Sequence, residues 1–340
     1  MKNYFHVGVM KTGTTLLQQK ILPTVCGASF AGYNMQGSTW GMPSLQSMSA
    51  NPSTTSLWKQ LNFLATAENF SYNPDTQRRA FLIARQHWSD MCGGSNQFVY
   101  SNETLTHGMK ADRSVVLGRL SSLVNNEHTN LLVTIREPVS ALISLHNHLL
   151  VKGALPAKHI EFEAWWNHNC AWPLQRGEEP SWSVTMFCYD RLLETLEASF
   201  TNGHIYLLPL EQLGYDINGY CNVLSQWLET SESLIRSSLN RSSSGSSFNT
   251  ASENTLRYKH PQLTQAYFLT NRLLERWIPG YPVAKELIFR GLIRRTSAAL
   301  SRKPTITPSL LDSVSDYYSG SSQRVARLCS AKLDEFGYPT

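Results

Sequence analysis

Lys11, with the threonines and glycine that follow it in FHVGVMKTGTTLLQQ (Phe5 to Gln19), supplies the residue types that a phosphate or sulfate group selects. Gly8, four residues, Gly13 and then Thr14-Thr15 keep the spacing of a nucleotide-phosphate loop, G-x-x-x-x-G-K-[ST], except that Thr14 stands where the pattern has lysine. The cation sits instead at Lys11, two residues before the second glycine. A loop of this kind binds anions when a strand enters it and a helix leaves it. The N–H groups of a helix's first turn have no intrahelical acceptor and lie at the positive end of the helix dipole. Gly13 lets the backbone approach a bound group closely, and the Thr14 and Thr15 hydroxyls add donors. The same two glycines would also serve a plain strand-to-helix turn, but the block K-T-G-T-T directly after an apolar strand favours the anion.

The elements around the loop suit that task. Residues 4–9 read as a buried strand and Thr14 to Leu22 as a helix stopped at Pro23. Further on, a helix is expected from about Thr76 to Met91, a short strand at QFVYS (97–101) and a helix from about Asp112 to Val124. NLLVTIRE (130–137) is the nearly continuous apolar run of a strand covered on both faces, and Pro138 opens a helix over 138–151. A helix near 185–200, the strand HIYLLPL (204–210) and a helix near 216–229 complete the alternation. This pattern predicts an α/β fold, a central parallel sheet flanked by helices, with ligands held outside the carboxyl ends of its strands. Residues 26–75 and 151–182 read as variable segments, and 255–340 as a mainly helical C-terminal part of one domain spanning 1–340.

Net charge of +5 and a pI near 8.8 suit an anionic small molecule and fall short of a nucleic-acid-binding signature. Six cysteines without a C-x-x-C pair indicate neither a zinc site nor a disulfide framework, and no metal is expected. No apolar run approaches the ~18 residues of a spanning helix, and a strand beginning by Tyr4 leaves no room for a signal peptide, so a cytoplasmic location is expected.

The block K-T-G-T-T resembles the phosphosulfate loop of the sulfotransferase family, enzymes whose donor is 3′-phosphoadenosine 5′-phosphosulfate and whose motif reads K-[ST]-G-T-[ST] after the first strand. The resemblance implies a P-loop NTPase-like sulfotransferase fold. It implies that Lys11 reaches the bridging oxygen between phosphate and sulfate, and that Thr12, Gly13, Thr14 and Thr15 help hold the 5′-phosphate. A sulfuryl group carries less charge than a terminal phosphoryl group, so one lysine takes on work that kinases share with Mg²⁺. IREPVSALISLHNHL (135–149) is similar to the family's 3′-phosphate motif, R-[DEN]-P-x-x-R-x-x-S, in Arg136, Glu137, Pro138 and Ser144, with Ala141 replacing the middle basic residue. CYDRLLETLEASFTNGHIYLLPLEQL (188–213) looks like the family's helix, strand and E-x-L. SLLDSVSDYYSGSSQRVARLCSAKLDEFGYP (309–339) looks like its C-terminal ending, with G-Y-P intact. RSSSGSSFN (241–249) falls where relatives place a loop over the adenosine, which makes Arg241 a further candidate for the 3′-phosphate.

Transfer to a hydroxyl needs a base, which the family places near the end of a strand following the loop; VYSNETLTHG (99–108) offers Glu103, the first choice, and His107. Trp165, Trp166, Trp172 and Trp182 are candidates for an acceptor pocket, as either binding platform or core. The implied activity moves a sulfuryl group to a hydroxyl or amine of a saccharide, lipid or small molecule, releasing 3′,5′-bisphosphoadenosine. The rivals are a P-loop kinase using ATP, for which the sequence offers no evident Mg²⁺ ligands, and a catalytically silent nucleotide-binding protein.

Overall fold

A computed structural model describes residues 2–30, 61, 63–64, 72–91, 93–94, 96–107, 112–124, 126–151, 155–159, 161–242, 306–329 and 331–339. The chain divides into two compact units: Met1–Pro138, Met186–Ser244 and Tyr318–Thr340 form the first, and Val139–Thr185 with Gly245–Tyr317 the second. Most of segment 26–75, the loop 243–249 and residues 255–305 lie outside the described residues.

In chain order the elements are β1 (Lys2–His6), α1 (Thr14–Leu16), α2 (Leu22–Cys26), α3 (Pro74–Met91), β2 (Gln97–Ser101), α4 (Thr104–His107), α5 (Arg113–Leu123) and β3 (Thr129–Ile135). There follow α6 (Pro138–Val151), α7 (Phe162–Trp166), α8 (Trp172–Gln175), α9 (Trp182–Thr185), α10 (Tyr189–Ser199), β4 (His204–Pro209), α11 (Gln212–Tyr215), α12 (Ile217–Leu228), α13 (Glu232–Ser242) and α14 (Pro308–Ala326). The first unit is built on a four-stranded sheet of order β2-β1-β3-β4 in which every pairing is parallel. With β2 on one side of β1 and β3 on the other, chain connections leave in opposite directions at β1. The crevice outside the carboxyl ends of β1 and β3 is therefore the switch point where such sheets bind ligands.

Strand alternation sorts the core onto two faces. Tyr4, Val99, Leu132 and Leu208 pack on one face with Leu17, Ile21 and Leu22 and with Tyr220, Leu224 and Trp227 of α12. The Trp227 indole Nε1–H donates to the Asn130 carbonyl oxygen at 3.2 Å, so this large ring is buried without orphaning its donor. On the other face Phe98 meets Phe5, Phe81 and Trp88 edge-on. Asp112 caps α5 by accepting the Ser114 N–H at 2.9 Å, which fixes where that helix begins.

Two sequence expectations are corrected. The first strand ends at His6 rather than at residue 9: the Val7 N–H still reaches the Leu132 carbonyl oxygen at 2.9 Å, but no paired strand residue follows before the turn that begins at Met10. The first helix does not stop at Pro23. A π turn, Leu17–Ile21, follows α1, the Leu22 N–H reaches back to the Leu17 carbonyl, and the chain continues into α2 with Pro23 near its start. The wider turn accommodates a residue that has no N–H to give.

In the second unit, Trp165 and Trp166 are buried, whereas Trp172 and Trp182 are exposed. The first pair is thus core rather than platform. His146 is fully buried with its Nε2 at 3.3 Å from the His159 carbonyl oxygen, and burial pushes its pKa down to about 4.

Candidate functional site

The loop between β1 and α1 is held by backbone conformations that a flexible segment would not adopt. Lys11 has φ 71° and Gly13 φ 87°, both in the left-handed region. For Gly13 this is free of steric cost; for Lys11 it is a conformation that costs on the order of 1 kcal/mol and that clusters at functional positions. Gly13 is also the N-cap of α1 and brings no side chain to cap it; the Leu16 N–H turns back to the Gly13 carbonyl oxygen at 3.0 Å. A Cβ at Gly13 would stand 2.5 Å from Leu210 Cδ1, a second reason for glycine at that position.

Beneath the loop lies a buried polar chain. His6 Nδ1 is 2.6 Å from Ser101 Oγ, His6 Nε2 is 3.0 Å from Thr134 Oγ1, and Thr134 Oγ1 is 2.7 Å from Thr12 Oγ1. Thr12 Oγ1 in turn donates to the Val9 carbonyl oxygen at 2.7 Å. Strand register explains the alignment: His6 is opposite Ser101 on β2 and Leu132 on β3, and Thr134, two residues on, shares that face. Burial depresses the His6 pKa to about 3, so the imidazole is neutral. A Cβ at Gly8 would lie 1.9 Å from Thr134 Oγ1, so Gly8 is what lets this chain pass under the loop.

Above it, residues distant in sequence meet the loop. Thr14 Oγ1 donates to the Glu103 carboxylate, and Glu103 stands two residues past the end of β2. Burial pushes the Glu103 pKa up, while the Thr14 hydrogen bond and the Lys11 ammonium act in the opposite direction. Arg136 is half-buried at the end of β3 and donates from Nη1 to the Lys11 carbonyl oxygen at 3.3 Å, one of the five N–H donors of its guanidinium. Its backbone is fixed by Tyr189, whose hydroxyl accepts the Arg136 N–H at 3.2 Å and donates to the Arg136 carbonyl at 3.0 Å. The Glu137 N–H donates to Glu211 Oε1 at 3.0 Å, and the Tyr338 hydroxyl to Glu211 Oε2 at 3.1 Å. Burial raises the Glu211 pKa, and these donors with the Arg136 guanidinium hold it back.

Lys11, Thr12, Gly13, Thr14, Glu103 and Arg136 therefore come together at the carboxyl ends of β1, β2 and β3. Thr15 is exposed on the first turn of the helix. His107 is the last residue of α4, Arg241 stands in the final turn of α13, and Ser144 is half-buried on α6 in the second unit. His6, Ser101, Thr134 and Tyr189 carry no role in the sequence reading, and Glu211 and Tyr338 enter it only as parts of the E-x-L and G-Y-P segments. A histidine inside an apolar strand is the visible signal for the first; Tyr189 carries none. Among the described residues no group of three or more His, Cys, Asp or Glu is placed to hold a metal ion, and no helix is long and apolar enough to cross a membrane.

The arrangement offers a helix start without a side-chain cap, a cation, a guanidinium and a carboxylate around one loop. Such a site can bind a phosphate-like group and accept a proton beside it. No family model, no curated protein and no solved structure matches the chain.

Proposed function

We propose that this chain is a sulfotransferase, one domain over residues 1–340 with a P-loop-like fold, which uses 3′-phosphoadenosine 5′-phosphosulfate in the cytoplasm. The observation that carries the proposal is the convergence of three separated segments on one strained loop: Lys11 to Thr15, Glu103 and Arg136. The K-T-G-T-T and R-E-P segments that resemble the family's two phosphate motifs thus share the carboxyl edge of one parallel sheet.

In this mechanism the donor's 5′-phosphate lies against the start of α1, where Gly13, Thr14 and Thr15 supply N–H donors and Thr15 adds its hydroxyl, the Thr14 hydroxyl being engaged by Glu103. Lys11 balances the charge that builds on the leaving phosphate as the S–O bond breaks. Arg136 meets the 3′-phosphate with its fork of donors, and Ser144 and Arg241 keep the same role from the resemblance. Glu103 takes the proton of the attacking hydroxyl. Its raised pKa makes it a stronger base than an exposed carboxylate, and His107 is the alternative. The acceptor is a hydroxyl or amine of a saccharide, lipid or small molecule.

The test is incubation with the labelled donor and an acceptor panel in the presence of EDTA, read by mass spectrometry as the gain of one sulfate. Transfer by the wild type and its loss in Lys11→Ala support the proposal. Binding of 3′,5′-bisphosphoadenosine without transfer to any acceptor identifies a silent binding protein, and displacement of the bisphosphate by ATP with Mg²⁺-dependent phosphorylation identifies a kinase.

A further inference from the structure

The buried chain under the loop has a single direction. A carbonyl oxygen only accepts, so the Thr12 hydroxyl gives its hydrogen to Val9. Thr12 Oγ1 must then accept from Thr134 Oγ1, which must itself accept from His6 Nε2–H; Nδ1 is left as the acceptor for the Ser101 hydroxyl. Every donor and acceptor has one partner, and the imidazole tautomer is set by the requirement. His6, Ser101, Thr134 and Thr12 are each at most 2% exposed. Packing alone would be served by an apolar side chain at position 6, as at Tyr4, Phe5, Val7 and Val9 around it. Burying an imidazole there is worthwhile to the fold only because its two nitrogens are both satisfied. What the chain fixes is Thr12, which lies between the two left-handed residues, Lys11 and Gly13.

We propose that His6 is a positioning residue for the anion loop. Through Thr134 it pins Thr12, and so holds Lys11 and Gly13 in the turn that receives the phosphate. The part concerning phosphate rests on the functional reading above; the part concerning loop conformation does not. The variants are Thr134→Val and His6→Leu, which break the chain at nearly constant shape, beside Thr134→Ser and His6→Gln. Serine keeps the hydroxyl, and glutamine keeps an N–H donor and an acceptor.

Two measurements are made on each full-length variant that remains folded: the affinity for 3′,5′-bisphosphoadenosine by calorimetry, and amide hydrogen exchange of residues 10–13 without ligand. Thr134→Val and His6→Leu are expected to bind the bisphosphate about tenfold or more weakly and to exchange faster at the loop. The two conservative variants stay within about threefold of wild type. A purely structural role would lower the melting temperature of Thr134→Val and His6→Leu and leave affinity and loop exchange unchanged; that result overturns the proposal. If the wild type binds no bisphosphate, the nucleotide reading fails and the exchange measurement alone decides whether His6 holds the loop. Should His6→Leu not fold, Thr134→Val carries the test.

Discussion

Lys11 combines two properties that pull against each other. Its φ of 71° is unfavourable for any residue with a Cβ, and its ammonium is the only one in the K-T-G-T-T block. Lys11→Gly should therefore raise the melting temperature by about 2 °C, on relief of about 1 kcal/mol of strain, while abolishing transfer. Lys11→Ala keeps the strain and should lower transfer by roughly 10²–10³-fold with an unchanged circular dichroism spectrum. Glu103 gives a pH signature. Because burial raises its pKa, the ionised form is unfavourable in the folded protein, so Glu103→Gln should be more stable than wild type at pH 7. That difference should shrink on acidification and vanish below about pH 3.5, where the wild-type carboxyl is mostly protonated in both folded and unfolded chains. Transfer by the wild type should fall over the acid range as the base is protonated, and the glutamine variant should retain bisphosphate binding without transfer. Denaturant titrations and initial rates at several pH values check both.

At the scale of elements, the loop is fixed by close approach. Gly13→Ala meets both a left-handed φ and a Cβ 2.5 Å from Leu210 Cδ1, and should cost about 1–3 kcal/mol in urea unfolding. The strand ends contribute a pH dependence of opposite sign to that of Glu103. His6 titrates near 6.5 when unfolded but at about 3 in the fold, so the unfolded state binds more protons as pH falls below 6.5. Stability contributed by the neutral imidazole is present above pH 6.5 and is lost progressively toward pH 3, by up to about 1.4 kcal/mol per pH unit. His146, at about 4, adds a smaller total loss of the same sign, over a shorter pH window. Comparing urea midpoints at pH 7 and 5 should show a flatter dependence in His6→Gln.

Across the first unit, the C-terminal residues close onto the site from far along the chain. Tyr338 donates to Glu211, which holds the backbone just after Arg136, and Tyr189 holds Arg136 itself. Farther back, Asp190 at the start of α10 accepts from Ser321 and Arg324 of α14. Burial pushes the Asp190 carboxyl up, but these donors outweigh it and keep the pKa below the usual range. Tyr338→Phe removes one donor from a half-buried carboxylate and should cost about 1 kcal/mol, read as a lower denaturant midpoint. It should also weaken bisphosphate binding, since the turn carrying Arg136 loses its brace.

The sequence by itself determined the alternation of strands and helices, because apolar runs and glycine or proline boundaries are local signals; QFVYS and the helix from Pro138 are found where they were read. It also determined that K-T-G-T-T follows a strand and starts a helix, since that is one continuous stretch of chain. Only the tertiary structure decided what stands around that loop. Strand order and register place Ser101 and Thr134 beside His6, bring Glu103 to Thr14, and carry Arg136 to the Lys11 carbonyl. None of those pairings has a local signature. They arise because parallel strands joined by helical crossovers set their carboxyl ends side by side, whatever the number of residues between them.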